Sequence, residues 1–316
     1  MIQGEIEMRP ISLLHKGTEA HSWNCGTAPD AIFPQNRRTS RAMIDTRPFF
    51  RPLSREMVDL LRGLDDSDWG RPTSAGSWRV RDVAAHLVDT ALRRLSFHRD
   101  RLTPPSPETG QDFVTFINTL NARWVRTAER LSPRVLTGLY RDAGRELADF
   151  VETLDLDGTA VFPVSWAGQT TSPQWLDTGR EFTEVWHHGS QIREAVGAGP
   201  WPDARWLHAV LQIAMLACPP AYADVPGLPG ASVVITVTGR ARGVWTLRWR
   251  GDRWEIDEGD VADPTTTVTM PDEVAWRLLF NGLTPTEARA LVRVDGDTTL
   301  ALPLLRARAV IVCPSS

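Results

Sequence analysis

The chain has 316 residues, 42% of them hydrophobic and 23% charged, with a formal net charge of -4. That is globular composition, long enough for two domains of about 150 residues. No apolar run approaches the roughly 20 residues that span a bilayer, and a mildly acidic chain has no overall electrostatic footprint for nucleic acid. Neither a membrane nor a nucleic acid is expected as a partner.

The first segment, residues 1–42, lacks sustained periodicity and carries Glu5 and Glu7 where a secretory signal would be apolar. It reads either as a disordered extension or as sequence upstream of a true start at Met43. Cys25, Cys218 and Cys313 are far apart and without CxxC spacing, which argues against a disulfide framework and a cysteine-based zinc site. A reducing cytoplasm is the expected compartment.

From Pro48 the pattern is helical. Phe50, Leu53, Met57, Leu60, Leu61 and Leu64 recur at three- and four-residue spacing and predict one buried stripe. A turn-like run follows over residues 65–77. A second helix is predicted over residues 80–99, with Val83, Leu87, Ala91 and Leu95 inward and Asp82 complementing the helix dipole. A third opens near Gly110 with Phe113, Ile117, Leu120 and Trp124 on its inner face. A fourth runs over residues 133–154 with Leu136, Leu139, Tyr140, Leu147 and Phe150 inward. After a long connection, a further helix covers residues 175–196 and stops at Gly197-Ala198-Gly199-Pro200. This succession predicts a helical bundle over residues 43–198.

The character changes in residues 199–316. A helix around residues 204–218 precedes β-branched runs at residues 232–238, 244–250, 254–256 and 265–270, which predict an antiparallel meander. Helices near residues 272–280 and 286–291, and a last one over residues 298–306, complete a small α+β domain.

Chemistry concentrates at Glu184 and His188. Positions i and i+4 on a helix share a face, with Cβ atoms about 5–6 Å apart, so a carboxylate and an imidazole there can share a metal ion. A third ligand must come from another helix, and the inward-facing His86 is the best placed. Two histidines and a carboxylate leave coordination positions open, as a catalytic site requires. The same residues fit a plainer arrangement, a surface pair on one helix and a hydrogen-bonded core histidine on the other. His187 competes with His188 for the same face. Glu181, one turn before Glu184, reads as a solvated residue or a group behind the ligands. Gln191 and Arg193 read as orienting or anion-binding groups, or as ordinary helix polar residues. Trp78, Trp166, Trp175 and Trp186 are candidates to line a pocket, while His98 and His208 have no evident partner.

The run Ser77-Trp78-Arg79-Val80-Arg81-Asp82-Val83-Ala84-Ala85-His86-Leu87 resembles the W-x-V-x-D-V-x-x-H-L signature of mycothiol-dependent maleylpyruvate isomerases, which belong to a DinB-like metal-binding superfamily. Glu184-Val185-Trp186-His187-His188, followed by Arg193, resembles that family's second signature. The resemblance implies a DinB-like four-helix bundle followed by a small α+β domain of sterol-carrier-like type. It places three metal ligands on His86, Glu184 and His188, with His187, Gln191 and Glu181 behind them. It implies a divalent metal and mycothiol as the thiol cofactor; two imidazoles and a carboxylate suit zinc, and nickel or iron fits the same donors. It also implies isomerase or transferase chemistry on a small electrophilic substrate. The family usually carries Asp three residues after its second histidine ligand; this chain has Gln191, and a double histidine besides. Two other readings stand beside this one. The first is a non-catalytic protein holding a metal or an apolar ligand. The second is an iron-dependent oxygenase component, for which the chain shows no additional catalytic domain.

Overall fold

The computed structural model describes residues 43–310. The expectations for residues 1–42, and Cys25 and Cys313, lie outside them. No helix among the described residues is long and apolar enough to cross a membrane.

Helix α1 spans Arg47–Gly63, with proline in its first turn, and buries Phe50, Leu53, Met57 and Leu61 as the spacing predicts. The segment after it turns on Asp65, whose Oδ1 accepts from the backbone N–H groups of Ser67 and Asp68 at 2.9 and 3.0 Å. Helix α2, Val80–Arg94, begins where the Asp82 carboxylate accepts from the Arg79 backbone N–H at 2.9 Å. It continues through a π-helical turn, Leu95–Arg99, which holds an extra residue in the helical ladder.

Helix α3, Phe113–Ala128, is capped by Asp112 and buries Phe116, Val125 and Ala128. Its expected inner face is therefore displaced: Phe113 is exposed and Ile117, Leu120 and Trp124 are only partly covered. The reason is its position, since α3 packs chiefly on α2 outside the bundle and needs only a narrow apolar edge. Helix α4, Pro133–Glu152, buries Leu136, Tyr140 and Leu147, but Leu139 faces outward. Helix α5, Gln174–Val196, ends at Gly197 in the left-handed conformation at φ 70°. The contacts α1–α4, α4–α2, α2–α5 and α5–α1 close a ring of four helices.

Beyond α5 come α6 (Ala204–Ala214), a short α7 (Cys218–Ala221) and the strands β1 (Ser232–Thr238), β2 (Gly243–Trp249), β3 (Trp254–Glu258) and β4 (Thr266–Pro271). Helices α8 (Asp272–Leu279) and α9 (Pro285–Leu291) follow, and then β5 (Arg293–Gly296). The sheet order is β3-β2-β1-β4-β5. It is a mixed sheet rather than the expected antiparallel meander, because β4 returns to pair in parallel with β1, Ile235 opposite Val268. Strand β1 buries Val233, Val234, Ile235 and Val237 on its two faces, so it belongs in the middle of a sheet and needs a neighbour on each edge. The short β5, unexpected from the sequence, closes the far side of β4.

The last helix expected over residues 298–306 is replaced by turns and a single 3-10 turn, Leu304–Arg306. Pro303 sits in the middle of that segment and removes the donor a continuous helix needs. One buried cluster runs through both parts of the chain; α6 reaches both α5 and α8.

Candidate metal centre

Helix α5 is covered on most of its circumference, which is unusual for a helix carrying Asp177, Arg180, Glu181, Glu184, His187, His188 and Gln191 on one side. At about 3.6 residues per turn, those seven positions fall within a stripe roughly 120° wide. The stripe points into the helical ring, toward α2. Glu181, expected to be solvated, is 3% exposed.

His86 on α2 faces Glu184 and His188 on α5. His86 Nε2 lies within hydrogen-bond reach of Glu184 Oε1 at 3.0 Å, and His188 Nε2 lies 3.4 Å from the same oxygen. The three potential ligand atoms all lie within 4.8 Å of one another. Residues 98 positions apart in sequence thus meet because α2 and α5 run antiparallel, with His86 opposite Glu184 and Arg94 opposite Asp177.

The surroundings orient each imidazole. His188 Nδ1–H donates to Gln191 Oε1 at 2.7 Å, which fixes the hydrogen on Nδ1 and leaves the Nε2 lone pair turned toward the Glu184 carboxylate. A nitrogen and a carboxylate oxygen 3.4 Å apart can share a proton or a metal ion between them. The His86 ring is held by packing, with Trp78 at 5.0 Å and His188 at 4.7 Å between centroids, and its Nδ1 is buried without a partner. Trp124 Nε1 donates to Ala85 O at 2.7 Å and pins the turn that carries His86. Trp78 also approaches His188, at 6.2 Å.

Burial holds His86 in the neutral form, with its pKa lowered to about 4. Burial pushes the Glu184 carboxyl up, but the neighbouring His188 and His86 rings outweigh it and keep the pKa well below the usual range. Imidazole nitrogens and an ionised carboxylate are what a divalent cation binds. The separations of 3.0 and 3.4 Å from Glu184 Oε1 are near the spacing of about 3.4 Å between two ligands of a tetrahedral metal.

The other candidates sort clearly. His187 lies beside the cluster rather than in it, between the His188 ring at 4.0 Å and the Phe280 ring at 4.9 Å. Arg193 turns away to donate to the carbonyls of Gly199 at 2.8 Å and Ala198 at 2.9 Å, closing the end of α5. Trp186 packs edge-on against Trp276, and Trp166 and Trp175 pack against the common core. His208 is 3.8 Å from Glu258, away from the cluster. His98 does have a partner, Arg94 Nη1 at 3.2 Å.

That contact belongs to a network the sequence did not disclose. Arg94 Nη2 meets Asp177 Oδ2 at 2.6 Å, and Arg180 reaches both Asp177 and Glu181. The charges at positions 177, 180, 181 and 184 lie at helical spacing, a pattern that from sequence alone reads as a solvated face.

Residues 50–193 match the family model described as the mycothiol maleylpyruvate isomerase N-terminal domain. Among solved structures, a histidine-to-alanine mutant of the mycothiol-dependent maleylpyruvate isomerase is 11% identical, with a TM-score of 0.49 over 80% of this chain and 92% of that one. A second structure of that isomerase is 13% identical, with a TM-score of 0.46 over 73% and 86%. The colibactin self-resistance protein ClbS, in complex with a double-stranded DNA, is 12% identical, with a TM-score of 0.37 over 48% and 92%. No curated protein sequence matches. The helical part of the chain, residues 50–193, is thus similar in sequence to the mycothiol maleylpyruvate isomerase N-terminal domain.

Proposed function

We propose that His86, Glu184 and His188 hold a divalent metal, zinc by the chemistry of the donors, and that the protein is a thiol-dependent isomerase or transferase acting on a small electrophile. The observation that carries this reading is the convergence of three ligand atoms from two helices within 4.8 Å. The likeness of residues 50–193 to that family supports mycothiol as the thiol. We assign the metal to residues 43–198 and a supporting role to a sterol-carrier-like part, residues 199–316. A cytoplasmic setting agrees with the small free thiol the chemistry needs.

A free thiol is only a few per cent ionised at neutral pH, and a bound zinc ion would supply the missing acidity. The chain's own residues do the rest. Gln191 holds the His188 ring in place, and Glu184 remains ionised between the two imidazoles. Trp78 covers the cluster on one side, against His86 and His188. The Glu184 side chain keeps 25% of its surface accessible, so a solute can approach the centre.

Elemental analysis of the purified chain tests the reading, with wild type beside His86→Ala and Glu184→Ala. About one zinc per chain, lost in both variants, supports it; turnover of a cis-configured unsaturated acid with added mycothiol then tests the isomerisation. Wild type that takes up no zinc at neutral pH overturns it and leaves the non-catalytic binding protein as the better account.

A further inference from the structure

We propose that Arg180 receives a carboxylate of the small molecule on which the metal centre acts; this rests on the metal-dependent reading above. Arg180, Glu184 and His188 lie on one i, i+4, i+8 ridge of α5, so the guanidinium stands one turn from the central ligand. Both side chains keep accessible surface, Arg180 at 30% and Glu184 at 25%.

The guanidinium is held by one edge. Its Nε and Nη2 donate to Asp177 Oδ1 at 3.3 and 3.2 Å, and Nη2 also donates to Glu181 Oε2 at 3.1 Å. Asp177 and Glu181 are themselves buried, so these anchors are rigid. Nη1 has no hydrogen-bond partner among the described residues. With both Nη2 hydrogens engaged, Nη1 is the donor left over, and a cationic N–H on an anchored guanidinium suits a carboxylate oxygen.

Charge favours the same ligand. Asp177, Glu181 and Glu184 gather with Arg94 and Arg180, a formal surplus of one negative charge that a divalent cation turns into a surplus of one positive. Of the two arginines, Arg94 is sealed in its pair with Asp177 at 2% accessibility, so only Arg180 can meet a solute. Arg93, on α2 near His86, is engaged by Asp89 at 3.1 Å and by Asn121 at 2.9 Å. It serves as the comparison.

The test is calorimetric titration of the zinc-loaded full chain with succinate and with the neutral succinamide, zinc content being measured on each sample. Arg180→Met is expected to weaken succinate binding at least tenfold, leave zinc content unchanged and leave the response to succinamide unchanged. Arg93→Met should alter succinate affinity less than threefold. Should Arg180→Met fail to fold, Arg180→Lys keeps the charge without the planar fork and is expected to lose severalfold in succinate affinity alone. Zinc-loaded wild type that does not bind succinate overturns the proposal. So does an affinity indifferent to Arg180, or one lost through Arg93 instead; in all these cases the metal reading stands. A wild type without zinc overturns both, and the metal analysis tells the two failures apart.

Discussion

Arg94 and Asp177 form an ion pair at 2.6 Å with side chains 2% and 0% exposed, about two turns along α2 from His86 and two turns along α5 from Glu184. The pair joins the two ligand-bearing helices and sets their relative register. Burial pushes the Asp177 carboxyl up, but Arg94 and Arg180 outweigh it and hold its pKa at about 2. Removing one partner of a buried pair leaves the other charge stranded, at a cost of about 3–5 kcal/mol. Asp177→Asn is expected to lose stability on that scale in urea unfolding and to bind zinc more weakly, although residue 177 is not a ligand. An Asp177→Asn variant with wild-type stability and zinc affinity would show that the pair sets nothing.

Gln191 acts on the metal through His188. Its Oε1 accepts the Nδ1 hydrogen at 2.7 Å, and loss of such a partner typically weakens metal binding 10–100-fold. Gln191→Leu is expected to lower zinc affinity within that range in competition with a chelator, whereas Gln191→Glu, which keeps an acceptor, should retain it. Equal affinities for all three proteins would remove Gln191 from the account.

Acid stability depends on His98, which lies away from the metal cluster. Burial, with the Arg94 charge beside it, lowers its pKa from 6.5 to about 3. The unfolded chain therefore takes up a proton below pH 6.5 that the folded chain refuses until about pH 3, and stability falls across that window as pH drops. One such proton corresponds to about 1.4 kcal/mol per pH unit. Asp177 adds to the loss at the lower end, its contribution present above 3.8 and disappearing as pH falls through about 2. His98→Gln should flatten the dependence between pH 6 and pH 4; chemical denaturation at several pH values measures it, and an unchanged slope would contradict the assignment.

Gly189 follows His188 directly, and a Cβ there would press on Met57 Cε and the Trp201 ring. Trp201 cannot yield easily, because its Nε1 donates to Ser190 Oγ at 2.9 Å. Gly189→Ala is expected to cost about 1–3 kcal/mol, the usual penalty for overpacking, and to disturb the neighbouring ligand. A thermal midpoint equal to wild type would mean that the site relaxes freely.

The helices were legible wherever one face is apolar and the other polar, as in α1 and α2, whose inner residues stand where their spacing puts them. Legibility failed where that contrast breaks down. On α5 the charged stripe is the buried one, so Glu181 looked solvated, and the Arg94–Asp177–Arg180 network was invisible because its members are paid off only by partners on other turns and another helix. In the sheet, residue alternation identifies strands but carries no information about which strand lies beside which, so the parallel β1–β4 pairing could not be read. The candidate ligands themselves were recognisable because two of them share a helix; their convergence with His86 is a tertiary fact.

The concentration of most of the site's polar groups on α5, a helix covered on nearly every side, divides the molecule into parts with different freedom to change. Substitution along α5 meets a neighbour almost everywhere. The exposed turn over residues 65–77, by contrast, leads directly to Trp78 at the cluster's edge. New sizes and shapes of substrate are thus most readily accommodated by redesigning that turn, with the ligand helix left as it is.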